Sequence, residues 1–134
     1  MAHLLVPPGN DPTLPDATVL WRRIIPQWWI KDPATGQYRL SSEGFGDTPD
    51  GSHMSVAIRD EIVGGVATFL ANCPGCGIAE FTAGHARHTC HMAVARDPVP
   101  GEPWHAIVIG KKKKQSIRRS LKDGCKVVVK PRES

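Results

Sequence analysis

The chain reads as a single small α+β domain, and three observations predict that class. Short runs of β-branched and aromatic residues, each closed by proline, glycine or aspartate, recur along it and predict about five or six strands. Two or three segments between them carry helical spacing of apolar residues. The length of 134 residues suits one hydrophobic core and is short for two. Hydrophobic residues make up 40% and charged residues 22%, a balance that excludes wholesale disorder.

Residues 1–16 hold four prolines and little periodicity, which predicts a proline-rich N-terminal arm ahead of a domain over 17–134. Thr18, Val19, Leu20, Trp21, Ile24 and Ile25 predict a strand that stops near Pro26. Gln27 to Lys31 continues the sheet after a bend, and Asp32-Pro33-Ala34-Thr35-Gly36 has the composition of a turn. Gln37 to Leu40 is ambiguous, and residues 41–52 predict a polar loop. Met54 to Ile58 predicts a strand. Asp60 is an N-cap type, and Ile62, Val63, Val66, Phe69 and Leu70 then recur at helical spacing, so a helix is expected from Glu61 to Ala71. Gly64-Gly65 weakens it, since glycine costs roughly 1 kcal/mol against alanine in a helix interior.

Residues 72–77 predict a tight loop, Ile78 to Thr82 a short strand, Ala83 to Thr89 a helical turn and His91 to Ala95 another strand. Residues 97–103 form a connection rich in proline. His105 to Ile109 is the clearest buried strand. Lys111 to Asp123 predicts a helix with Ile117 and Leu121 on one face and Gly124 as its C-cap, and Lys126 to Lys130 a last strand. The end of the chain is therefore a β-α-β-like unit, with a connection long enough for a parallel crossover.

The longest apolar runs fall far short of the ~20 residues a membrane helix needs. The opening residues carry no basic leader. Both features lead to the expectation of a soluble, cytoplasmic protein with no membrane partner.

Charge is unevenly placed. The net charge is +4, yet from Gly110 to Ser134 ten Lys or Arg face two acids, a balance of +8, while residues 1–109 hold seven bases against eleven acids, a balance of −4. A mildly acidic body with a strongly basic end points to an anionic partner, either nucleic acid or an acidic protein. Lys111, Lys112, Lys113, Lys114, Arg118, Arg119 and Lys122 are the expected binding residues. Four lysines at the start of a helix oppose its dipole, an arrangement that helix stability does not explain and that a bound anion would offset.

Cys73-Pro74-Gly75-Cys76-Gly77 has the spacing of one zinc knuckle, in which both thiolates reach a single ion. His85, His88, Cys90 and His91 supply further ligand types, so a zinc site built on Cys73, Cys76 and two of these four would stabilise the region. In a reducing compartment, free thiols or a metal are expected ahead of disulfides. Trp21, Trp28 and Trp29 interleave with Arg22, Arg23 and Lys31, a mixture found on stacking platforms for single strands but met more often in cores and interfaces.

The run Leu20-Trp21-Arg22-Arg23-Ile24, followed by Arg39-Leu40-Ser41-Ser42, resembles ADP-ribosyltransferases over this short stretch. The resemblance implies an arginine on an early strand and a serine on a later one holding NAD between them, with Glu61 or Glu80 as the acid. Arg22 or Arg23, together with Ser42, are the corresponding residues, and His105, beside Trp104, is a candidate general base. These define an enzyme reading secondary to the binding one.

Overall fold

A computed structural model describes residues 9–46, 53–110 and 115–133. Among these residues eight strands form in chain order: β1 (Val19–Ile24), β2 (Trp29–Lys31), β3 (Tyr38–Leu40), β4 (His53–Ile58), β5 (Gly77–Thr82), β6 (Ala93–Arg96), β7 (His105–Ile109) and β8 (Lys126–Val129). Two α-helices accompany them, α1 (Gly65–Phe69) and α2 (Gln115–Asp123). Six strands make one antiparallel sheet in the order β6-β7-β4-β1-β5-β8, while β2 and β3 pair apart as a hairpin. The architecture is the expected α+β domain, with more strands than the sequence suggested. No helix among the described residues is long and apolar enough to cross a membrane.

Alternation along β1 builds two cores, because successive strand side chains point to opposite faces. Leu20 and Ile24 join Met54, Val56, Phe81, Val94 and Val108 beneath α2, whose Leu121 is fully buried. Trp21 joins Ala57, Phe69 and Trp104 on the other face. There Phe69 meets Trp104 edge-on at 5.5 Å and Trp21 at 5.8 Å. Such aromatic pairs contribute about 0.5–1.5 kcal/mol each beyond their buried area.

Five local outcomes differ from the sequence reading, each for a physical reason. The helix expected over residues 61–71 shrinks to α1. Arg59–Glu61 turn as a 3-10 helix, and Asp60 pairs with Arg59 and caps nothing. Gly64 then takes a left-handed φ of +90°, where a Cβ would lie 2.2 Å from Thr68 Oγ1. Gln27 does not extend β1. Pro26–Trp28 turn as a 3-10 helix, and β2 leaves to pair with β3 across the Asp32–Gly36 turn. Ser42–Phe45 turn as a 3-10 helix inside the expected loop, capped by the Ser41 hydroxyl. His91 has a φ of +57°, so β6 begins only at Ala93.

The fifth difference concerns the arm. From Gly9 onward it is fixed against the body. Leu14 is 2% exposed, and Arg87, itself 5% exposed, donates to Asn10 Oδ1, to the carbonyls of Asp11 and Leu14, and to Asp16. Arg87 reaches inward from a single π-helical turn, His85–Thr89.

The β-α-β-like end has an unexpected span. Four antiparallel pairings separate β7 from β8, so the two run in the same direction at different places in the sheet. The connection holding α2 crosses the sheet to set β8 on the far edge beside β5.

Candidate functional site

The basic end divides between exposed and paired cations. Lys111, Lys112, Lys113 and Lys114 lie outside the described residues. On α2, Arg118 is drawn toward Glu43 at 3.6 Å, and Lys122 lies 3.5 Å from Asp123. Arg119 is exposed and borders a shallow groove with His85, Ser116 and Ser120. Beyond the helix, Lys126 pairs with Glu80, whereas Lys130 and Arg132 are exposed.

Lys130 faces an aromatic wall. The hairpin stacks Trp29 on Tyr38 at 6.2 Å with planes 16° apart. A groove of about 600 Å³ separates that hairpin from the last residues of the chain. Trp29, Gln37 and Tyr38 line one side and Lys130, Pro131 and Glu133 the other. Lys31, opposite Tyr38 in the hairpin, and Arg39 add exposed positive charge. Tyr38, Lys31, Arg39, Lys130 and Arg132 were not singled out as one surface from the sequence, because the hairpin and the chain end are nearly a hundred residues apart. Trp21 and Trp29 are buried, and Trp28 lies under the Arg22 guanidinium at 5.3 Å, so none of the three tryptophans forms an open platform.

The proposed metal ligands separate. Cys73 and Cys76 are joined by a disulfide, their Cα atoms 5.5 Å apart in the tight turn. The expectation of free thiols there gives way: the turn that would present two thiolates to zinc brings them equally well to each other. His88 turns to Asp16 at 2.6 Å, and His91 is exposed ahead of β6. His85 and Cys90 meet, with Sγ to Nε2 at 3.6 Å, but His85 Nε2 is engaged by the Ser120 carbonyl at 2.9 Å. Nε2 therefore carries the hydrogen and caps the end of α2. Among the described residues no group of three or more His, Cys, Asp or Glu is placed to hold a metal ion.

Of the residues in the enzyme reading, the fold brings the arginines and the histidine together. Arg22, Arg23 and His105 line one cleft of about 200 Å³, while Ser42 lies in the 3-10 turn outside its lining. Neither proposed acid reaches it. Glu61 pairs with Arg96, and Glu80 pairs with Lys126 and Arg59 and accepts from Trp21 Nε1 at 3.0 Å. Arg22 donates through Nε to the Gly44 carbonyl at 3.0 Å and through Nη1 to the Ser55 carbonyl at 2.8 Å. Burial, and then the neighbouring Arg23 charge, push its pKa down to about 10. Arg23 donates to the Phe69 carbonyl and to Glu102. His105 Nδ1 donates to the Asp97 carbonyl at 2.8 Å, with the Asp97 carboxylate at 3.3 Å.

No family model matches the chain, and neither the curated proteins nor the solved structures compared with it contain a match.

Proposed function

We propose that this protein is a binding module that engages single-stranded nucleic acid through its basic C-terminal end and the adjoining hairpin. The observation that carries the reading is the groove between Tyr38 and Lys130. It sets the half-buried Tyr38 ring, stacked on Trp29, across from Lys130, an aromatic and a cation of the kind that sequence-tolerant single-strand binding uses. Lys31, Arg39, Arg119, Lys130 and Arg132 are exposed on the hairpin, α2 and the chain end, while Arg59, Arg87 and Arg96 of the body pair with carboxylates of the chain. In the lining itself Lys130 is the cation and Glu133 the anion. Lys111 to Lys114 belong to the same basic stretch and add to its attraction for phosphates.

Fluorescence anisotropy with a mixed-sequence single-stranded oligonucleotide tests the reading. Affinity is expected to fall steeply as salt rises, because phosphate contacts release counterions. Tyr38→Ala is expected to weaken binding while lowering the melting temperature through loss of its stack on Trp29. The pair Lys130→Gln with Arg132→Gln is expected to weaken binding at unchanged melting temperature. Neutralising Lys111 to Lys114 is expected to do the same. Binding that ignores salt, or that these variants leave intact, overturns it.

A further inference from the structure

The sheet contains an opening. Strands β1 and β4 pair at Leu20↔Ile58 and Trp21↔Ala57 and then part, although β1 stays paired with β5 as far as Ile24. The Arg22 side chain reaches across the gap to the Ser55 carbonyl, a group that a continuous ladder would give to the neighbouring strand's backbone. Consecutive residues on a strand point to opposite faces. Arg22 and Arg23 nevertheless line the same cleft, and they do so because the neighbouring strand has moved away from them.

The charges in the cleft do not cancel. Arg23 is balanced by Glu102 at 3.2 Å and rests over Phe69 at 4.3 Å. Among the described residues Arg22 has carbonyl hydrogen-bond partners only, at Gly44 and Ser55, and it lies over the Trp28 ring. These engage Nε and one Nη1 hydrogen, which leaves the Nη2 hydrogens and the second Nη1 hydrogen, since a guanidinium has five donors in a planar fork. On the cleft's other side, His105 is held through Nδ1 by the Asp97 carbonyl, so Nε2 is the ring nitrogen left for a ligand. Asp97 balances the imidazolium when the ring is protonated. Ser55 adds a hydroxyl to the lining, and Trp104 and Phe69 add an apolar wall.

We propose that this opening is a binding site for a small phosphate-bearing ligand, with the phosphate seated between the Arg22 fork and His105 Nε2 and the rest of the ligand against Trp104. Polar groups from two strands that line one cleft suit a tetrahedral oxyanion. Arg22 supplies a fixed positive charge and several donors. His105 accepts from the hydroxyl of a phosphate monoanion or, once protonated, donates to the dianion. The volume of about 200 Å³ lies below the range of roughly 300–1,000 Å³ usual for drug-sized ligands, so the ligand is a phosphate ion or a compact phosphomonoester. Glu102 is an internal anion that holds Arg23 away from this role. The site is separate from the groove at the basic end and does not depend on it.

Titration of the 15N-labelled protein with inorganic phosphate, and in parallel with glycerol phosphate, tests the proposal. Saturable amide shifts are expected at Arg22, Arg23, Ser55 and His105. His105→Gln and Arg22→Gln are each expected to weaken binding at least tenfold, and Glu102→Gln to tighten it by freeing Arg23. Arg22 also ties Gly44 to Ser55, so Arg22→Gln counts only where its spectrum stays folded, and His105→Gln carries the test otherwise. The titration is repeated with Lys130→Gln and Arg132→Gln present, and the cleft shifts are expected to persist. Equal or tighter binding of glycerol phosphate marks a phosphomonoester as the ligand, and weaker binding marks the free ion. Shifts confined to the basic end, no saturation, or a His105→Gln variant that binds as well as the parent overturns the site.

Discussion

At the scale of single residues, the buried polar groups decide the most. Arg87 satisfies two backbone carbonyls, one amide oxygen and one carboxylate at once. Arg87→Ala strands those carbonyls under the lead-in, and the expected loss is roughly 3 kcal/mol in urea unfolding. Asp16, which receives His88 and Arg87, is held below the ordinary carboxylate range by those hydrogen bonds, the His88 one first. At Glu80 burial pushes upward, but hydrogen bonds from Trp21 and Lys126 and the charge of Arg59 outweigh it and the net shift is downward. Both carboxyls bind protons less readily folded than unfolded. Their stabilisation is therefore present above the ordinary carboxylate range and lost as pH falls through the depressed folded values. Melting temperature is expected to drop on the acid side, and Asp16→Asn to flatten that drop. Burial pushes the Cys125 thiol up to about 12 and also raises Cys90. Both are expected to resist iodoacetamide at neutral pH until the protein unfolds, because the thiolate is the reactive form.

At the scale of elements, close approach fixes where glycine sits. A Cβ on Gly77 at the start of β5 would lie 2.3 Å from the Val129 carbonyl and 2.6 Å from Pro131 N. Backbone cannot yield as a side chain does, so Gly77→Ala is expected to displace β8 and cost on the order of 2 kcal/mol by thermal unfolding. Gly124 accepts the His85 ring, where a Cβ would come within 2.1 Å of Nε2. The sequence reading of Gly124 as a helix C-cap was sound as far as it went, since its amide does close on the Leu121 carbonyl. What stayed hidden was the tertiary reason. β1, β4, β5, β7, α2 and β8 were legible from local periodicity. The shortened α1 was not, because apolar residues at helical spacing say nothing of two glycines with positive φ.

At the scale of the whole molecule, strand order was the least legible property. Nothing in the run Val19–Ile24 announces that it will lie between strands from the middle of the chain, and only long-range pairing decides that. The same limit hid both candidate sites. The Tyr38–Lys130 groove joins the hairpin to the chain end, and the cleft joins β1, β4 and the start of β7. Residue types were visible in advance, with Arg22 and His105 singled out separately, but their meeting depended on the sheet being open between β1 and β4. The basic end was visible as composition and gained an aromatic wall only through folding.

The parting of β1 from β4 also has a mechanical meaning. It divides the sheet into two leaves, β6-β7-β4 and β1-β5-β8, bound along only part of a shared spine. Leaves joined in this way can change their angle with little loss of backbone hydrogen bonding, whereas a full ladder resists. Amides along the unbound margin are expected to exchange with deuterium sooner than those at Leu20 and Trp21. A guest wedged at that margin would set the angle of the two leaves and slow the exchange on both.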